Sequence, residues 1–148
     1  IGGSGSTKRV AAKIFIEFMN LVTQEYKCKF FLATGRNTEE QKILKEILNS
    51  KFKDKCYALD SLNISEVLPI IKNCNISICN DSSFSHLSSG LGIETIVLMA
   101  DTPLLYGSYS NKMYPIIPDG EDTVTHNTLG KDKINPSKIF GQFKKILY

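Results

Sequence analysis

The apolar positions of this chain fall into short dense runs, separated by stretches in which they recur every three or four residues. Lys29 to Ala33, Cys56 to Leu59, Ile76 to Cys79 and Thr95 to Met99 are the dense runs. Runs of that length predict strands buried on both faces. Between them, Lys8 to Tyr26 places Ile14, Phe18, Leu21 and Val22 at helical spacing, and Thr38 to Leu48 does the same with Ile43, Leu44, Ile47 and Leu48. Both stretches predict amphipathic helices, the second capped by Thr38. Asn63 followed by Glu66 has the form of a capping box for a helix to about Lys72. Pro69 inside that helix would cost about 3 kcal/mol at a central position, which predicts a kink or an early restart. Phe84 to Leu91 reads as a small-residue helix. Asn135-Pro136 reads as cap and first position of a final helix to about Leu147. Tyr114 to Ile117, bracketed by Pro115 and Pro118, suits a strand at a sheet edge.

Strands alternating with helices predict an α/β fold: a doubly wound, Rossmann-like parallel sheet in one domain over residues 1–148. Ile1 leads straight into Gly2-Gly3 and reads as the end of a first strand. In the usual doubly wound order that strand lies beside Ile76 to Cys79. The loops after these two strands then flank the switch point where such sheets bind ligands. Those loops, Gly2 to Lys8 and Asn80 to Ser85, are the two most polar turns of the sequence.

Composition narrows the function classes. The apolar share is 42% and the charged share 22% over 148 residues, which argues against disordered and fibrous classes. A net charge of +3, spread along the chain, permits an anionic ligand. With no basic stripe interleaved with aromatics, nucleic acid is not indicated. No apolar run is long enough for a transmembrane helix. The chain begins without Met and without an apolar leader, as expected of a fragment or trimmed chain. Cys28, Cys56, Cys74 and Cys79 form no CxxC pair, and His86 and His126 stand far apart. Reduced thiols in a cytosolic protein are therefore expected, with no zinc site.

Candidate chemistry concentrates in the two polar loops. A strand breaking sharply into a helix at Asn80 to Ser83 presents free N–H groups and the positive end of a helix dipole, which suit an anion. Asp81, Ser82, Ser83, Ser85 and His86 crowd that break, and helix capping by Asp81 or Ser82 explains them equally well. In the first loop, Gly2, Gly3 and Gly5 let backbone approach a diphosphate. Ser4, Ser6 and Thr7 offer hydroxyls there, and Lys8 adds a point charge. A flexible linker has the same glycine-serine composition. Neither GxGxxG nor a Walker sequence is present, so neither NAD nor P-loop chemistry is indicated. Arg36 suits a 2′-phosphate or plain solvation. Glu39 and Glu40 suit ribose hydroxyls or the N-terminal turn of a helix.

Asn80 to Gly92, read as N-D-S-S-F-S-H-L-S-S-G-L-G, resembles glycosyltransferase family 9, the ADP-heptose:lipopolysaccharide heptosyltransferase family. That family's pattern is D-[ST]-G-x-x-H-L-A-A-A-x-G-x-P, followed by an apolar strand and a Gly/Thr/Pro loop. Here the strand is Glu94 to Leu98 and the loop contains Asp101-Thr102-Pro103. Gly3 to Ser6 with Lys8-Arg9 resembles the family's phosphate loop, and Leu59 to Glu66 sits where the family has its adenine-side loop. Ser83 stands for the family's glycine, Glu94 for its proline, Ala100-Asp101 for Gly-Pro, and Val10-Ala11 for its aromatic-proline pair. Those departures fit a divergent member with a different donor sugar.

The resemblance implies the C-terminal half of a two-domain GT-B enzyme, binding a nucleotide-diphosphate sugar, with an ADP-sugar favoured. Lys8 and the amides of Ser82, Ser83 and Phe84 would hold the diphosphate, assisted by Ser4 and Ser6. Leu62 would contact the base, Glu39 or Glu40 the ribose, and Asp81 the donor-sugar hydroxyls or the helix cap. His86 would add a hydrogen bond to the leaving diphosphate, and its stabilisation by Lys8 and the helix donors does work that a metal would otherwise do. The partners implied are the N-terminal domain with its acceptor base and a glycan or lipid-linked acceptor of lipopolysaccharide type. The chain alone would then bind donor without transferring sugar. The location implied is cytoplasmic, peripheral to the inner face of a bacterial membrane through the other half. A non-catalytic nucleotide-binding regulatory module, another GT-B family and the nucleotide-sugar epimerases share this half's architecture.

Overall fold

The computed structural model describes residues 1–3 and 5–148. In chain order the elements are helix α1 (Ala12–Glu25), strand β1 (Phe30–Leu32), helix α2 (Thr38–Leu48), strand β2 (Cys56–Ala58) and helix α3 (Ile64–Lys72). Strand β3 (Ile76–Asn80), helix α4 (Ser83–Gly90), strand β4 (Glu94–Leu98), strand β5 (Met113–Ile116) and helix α5 (Pro136–Leu147) follow. Every strand pair is parallel. Phe30 lies opposite Cys56, Ile76 opposite Glu94, and Thr95 opposite Met113. The pairing falls into two pieces, β1-β2 and β3-β4-β5. Ile1 bridges them: its amine donates to the Ala33 carbonyl, just past β1, at 3.2 Å. Its own carbonyl accepts from Asn80, the last residue of β3, at 3.2 Å. The expected neighbourhood of the chain's start and the strand at Ile76 is therefore present.

Strand β4 shows why these residues form a two-faced sheet. Side chains alternate across a strand, so Ile96 and Leu98 point one way and Val97 and Met99 the other. Ile96 and Leu98 join the large core with Ile14, Phe18 and Ile139, which lies under α1, α2 and α5. Val97 and Met99 pack with Met113 and Val124. A third cluster of Leu59, Val67, Ile71 and Ile93, with Phe84 against it, joins α3 to α4. Truncating Ile96, which is fully buried, to Ala would cost about 2–5 kcal/mol.

Several boundaries differ from expectation for local reasons. The first helix starts at Ala12, because the Lys8 and Arg9 amides both turn back onto the Gly5 carbonyl. Asn37 rather than Thr38 caps α2, its side chain accepting from the Glu40 N–H at 3.0 Å. The Asn63–Glu66 capping box is present, and α3 runs through Pro69 without a restart. Pro69 and Ser65 are both exposed, so the carbonyl that loses its helical partner faces water. Strand β5 lies at the edge of its sheet, as its prolines predict. All four cysteines are free thiols, and burial pushes each of them up from its ordinary pKa. No helix among the described residues is long and apolar enough to cross a membrane.

Candidate nucleotide-sugar site

The two polar loops meet at the C-terminal edge of the sheet, and Asn80 joins them. It is fully buried and engages its whole amide. Its Oδ1 accepts from the Val10 N–H at 3.3 Å, and its Nδ2 donates to the Ile1 and Gly2 carbonyls at 3.2 and 3.0 Å. Gly3 carries the contact further. At φ +154° it holds a conformation that L side chains rarely adopt, and a Cβ there would lie 3.9 Å from the Ser82 side chain. The backbone of the first loop therefore runs directly against the turn after β3.

Asp81 is the centre of that turn. Its carboxylate is 8% exposed. Oδ2 accepts from Lys8 Nζ at 3.2 Å and from the Thr102 hydroxyl at 2.6 Å. His86 Nε2 stands 3.9 Å from Asp81 Oδ1. The other ring nitrogen of His86 is 2.7 Å from the Tyr109 hydroxyl, and the two rings stack with centroids 5.6 Å apart. A cation, an imidazole and a helix start thus converge around one buried carboxylate, with Lys8 and His86 half-exposed at its rim.

Of the two roles expected for Asp81, helix capping falls to Ser82 instead. Ser82 occupies the N-cap of α4, where the Ser85 hydroxyl donates to its carbonyl at 2.7 Å and its own N–H reaches Ser85 Oγ at 3.4 Å. Asp81 turns away because Lys8 and Thr102 offer its buried charge better donors. Ser83 is exposed, while the Phe84 ring packs into the α3–α4 core. The first amides of a helix lack intrahelical acceptors, so the Ser83 and Phe84 N–H groups are available at the rim.

The loop after β4 closes the floor. Burial pulls the Asp101 carboxyl upward in pKa, but hydrogen bonds from the Leu129 amide, the Thr7 hydroxyl and the Thr128 amide, with His126 nearby, hold it below the usual carboxylate range. Leu129 N donates to Asp101 Oδ1 at 2.7 Å. Asp101 therefore holds the chain at Leu129 while its neighbour Thr102 anchors Asp81.

The remaining candidates spread along the same edge. Glu39 is exposed in the first turn of α2. Glu40 is buried, and its Oε1 accepts from the Gly3 N–H at 2.6 Å while Oε2 meets the Asn37 amide. A Cβ at Gly2 or Gly35 would come within 2.4 Å of that carboxylate, so Glu40 is packed into the fold with both oxygens engaged. Arg36 donates to the Asp60 and Ser61 carbonyls, bridging the loops after β1 and β2. Leu62 is half-buried after β2, against the small core. Ser6 is exposed, its carbonyl accepting from Lys131 Nζ at 3.0 Å. Ser4 lies outside the described residues. Glu94 sits at the opposite end of β4, where hydrogen bonds from Lys112 and Tyr114 hold its pKa down. That departure from the family pattern leaves the site untouched.

Sequence reasoning gave no structural role to four contributors: Asn80 as a clamp, Asp101 and Thr102, which it placed only in the loop after the motif strand, and Tyr109. The first three stand at a strand's last residue or within four residues past one, which was a usable signal. Nothing local marks Tyr109, which meets His86 across 23 positions of chain.

Comparison with known proteins bears on this geometry. Escherichia coli heptosyltransferase WaaC with ADP superposes with a TM-score of 0.79 at 13% identity, covering 97% of this chain and 41% of that one. E. coli ADP-heptose lps heptosyltransferase II gives a TM-score of 0.75 at 17% identity, covering 99% of this chain and 45% of that one. At such identities the likeness shows the fold, that of GT-B heptosyltransferases, and this chain spans less than half the length of either relative. No curated protein matches the sequence. The family model of glycosyltransferase family 9 (heptosyltransferase) matches residues 2–124, from the first loop through the Asp81 turn and beyond β5. The chain belongs to glycosyltransferase family 9.

Proposed function

We propose that this chain is the donor-binding part of a glycosyltransferase and holds a nucleoside-diphosphate sugar across the loops at the C-terminal edge of its sheet. The observation that carries the reading is the convergence of Lys8 and the start of α4 on Asp81, from loops clamped together by Asn80. An ammonium has three donors. Lys8 can keep one on Asp81 and turn the others to the diphosphate. The Ser82, Ser83 and Phe84 amides supply the rest, with Ser4 and Ser6 at the rim. Glu39 faces the ribose, Leu62 the base and Asp81 the sugar hydroxyls. The relative whose description includes ADP favours an adenine nucleotide, and the family favours heptose as the sugar and a lipopolysaccharide-type acceptor.

Charge builds on the diphosphate as the sugar leaves, and donors fixed around it stabilise that charge more than the ground state. Lys8 and the helix amides serve here. When the Tyr109 hydroxyl donates to Nδ1 of His86, the ring proton sits on Nε2, the nitrogen turned toward Asp81. The base that activates the acceptor lies on a further domain, so this chain binds donor and transfers no sugar on its own.

Calorimetric titration with ADP, ADP-sugars and UDP-sugars tests the reading. Binding is expected with the adenine nucleotides preferred, and Lys8→Ala should weaken it by roughly 1.5–3 kcal/mol, the worth of a charge-assisted hydrogen bond. A folded sample that gives no heat with any of them overturns the reading.

A further inference from the structure

Along the C-terminal edge of the sheet the order is β2, β1, Ile1, β3, β4, β5. Leu62 follows β2 and Glu39 follows β1, while Lys8 and the start of α4 lie beyond Ile1 and β3. With this edge taken as a nucleoside-diphosphate-sugar site, on which the inference rests, base and ribose lie over β2 and β1 and the diphosphate beside β3. Whatever is joined to the outer phosphate then extends over the loop after β4, residues 99–112.

That loop is pinned in place. A Cβ at Gly107 would lie 2.4 Å from the Met99 sulfur, so the chain is packed there onto the residue after β4. The Ser108 hydroxyl donates to the Leu104 carbonyl at 2.9 Å, and the Met113 N–H donates to the Ser110 carbonyl at 3.0 Å. Tyr109 stands between these ties. One face of its ring stacks on His86 at an interplanar angle of 19°, and its hydroxyl meets Nδ1 at 2.7 Å. The residue is nevertheless 55% exposed, so the outer face of the ring is open. A ring held on one side and bare on the other has little freedom left to lose when something settles on it. Further in, Asp81 Oδ1 accepts no hydrogen bond among the described residues, with His86 Nε2 3.9 Å away.

We propose that Tyr109 is a specificity residue for the donor: its outer face stacks on the C–H face of a pyranose carried by the outer phosphate, whose hydroxyls reach Asp81 Oδ1. A pyranose carries its hydroxyls around the rim and bares C–H bonds on its faces. Those polarised hydrogens are drawn to the negative face of an aromatic ring, and stacking frees water from both surfaces. ADP alone leaves the platform empty. Tyr109 therefore separates sugar nucleotide from bare nucleotide, while Lys8 and the helix amides hold either one.

The test measures dissociation constants by calorimetry for ADP, ADP-glucose, ADP-mannose and ADP-heptose on the wild type, Tyr109→Phe and Tyr109→Ala, each first shown to be folded by its amide spectrum. For the sugar nucleotide that binds tightest, the ratio of its constant to that of ADP should rise about tenfold in Tyr109→Ala and stay within about twofold in Tyr109→Phe. Tyr109→Phe removes the hydroxyl from His86 and keeps the ring, so an effect routed through that histidine would appear in it as strongly as in Tyr109→Ala. A second readout needs no variant: on the wild type, sugar-ring protons should shift upfield on binding and show through-space contacts to the Tyr109 ring. With ADP bound normally, an unmoved ratio in Tyr109→Ala, an equal rise in Tyr109→Phe, or sugar protons without an upfield shift overturns the proposal. So does a wild type that binds ADP and no sugar nucleotide. Failure of the folded wild type to bind ADP at all is a different result, which brings down the nucleotide reading and this inference with it.

Discussion

Of the carboxylates buried on this edge of the sheet, Glu40 at 6% exposure and Asp81 at 8% make the sharpest contrast. Each stands where a strand has just given way to a helix. Glu40 is braced by backbone and by close-packed glycines: the Gly3 N–H donates to it, and Gly2 and Gly35 leave only enough space for its oxygens. Asp81 is braced by side chains that reach in from elsewhere, Lys8 from the first loop and Thr102 from the loop after β4, with His86 beyond. Equal burial thus hides opposite roles. A carboxylate closed in by backbone holds the fold, while one met by a half-exposed lysine and histidine has donors that solvent, or an anion in the proposed site, can reach. The exposure of the donors, not the depth of the acid, separates them.

The sharpest way to break that contrast is Glu40→Ala. It strands the Gly3 N–H in a buried place and opens a void beside Gly2 and Gly35, so stability should fall by about 2–4 kcal/mol in denaturant unfolding. Lys8→Ala should do the reverse, lowering nucleotide affinity by the 1.5–3 kcal/mol given above while moving the unfolding free energy by about 1 kcal/mol or less, because its ion pair is partly exposed. A large loss of stability with unchanged affinity would assign Lys8 to the fold.

Asp101 sharpens the comparison through pH. Its carboxyl is depressed from 3.8 in the folded state, so the stability it provides is present above that value and drains away as pH falls through the lower folded one. Unfolding free energies of the wild type and Asp101→Asn should differ by about 1–2 kcal/mol at pH 7 and converge in acid. Parallel curves would show that Asp101 is not ionised in the fold as described. Tyr109→Phe has the smallest effect. Stability should hold, affinity should fall by about 0.5–1 kcal/mol, and the ring-nitrogen NMR shifts of His86 should move as Nδ1 loses its partner.

Much of the fold was legible because it is written in local patterns. The dense apolar runs became β1 to β4 within a residue or so, the Asn63–Glu66 box caps α3, and Asn135-Pro136 opens α5. The site was legible only as two polar loops joined by a topological rule. What escaped depends on contacts across long stretches of chain, such as Asn80 to Gly2 over 78 positions and Asp81 to Thr102 over 21. No periodicity encodes those. The burial of Glu40 escaped because an acid in the first turn of a helix looks the same whether it faces solvent or a glycine backbone. Pro69 misled because its cost depends on whether the orphaned carbonyl meets water, which the exposed face of α3 allows.

The central claim is that the first loop and the Asp81 turn grip one diphosphate together. Backbone amide shifts followed during titration with ADP test it most directly. The amides from Gly5 to Arg9 and those of Ser82, Ser83 and Phe84 should move along a single saturation curve with one dissociation constant. Movement in one loop without the other, or in neither at millimolar ADP, would contradict it.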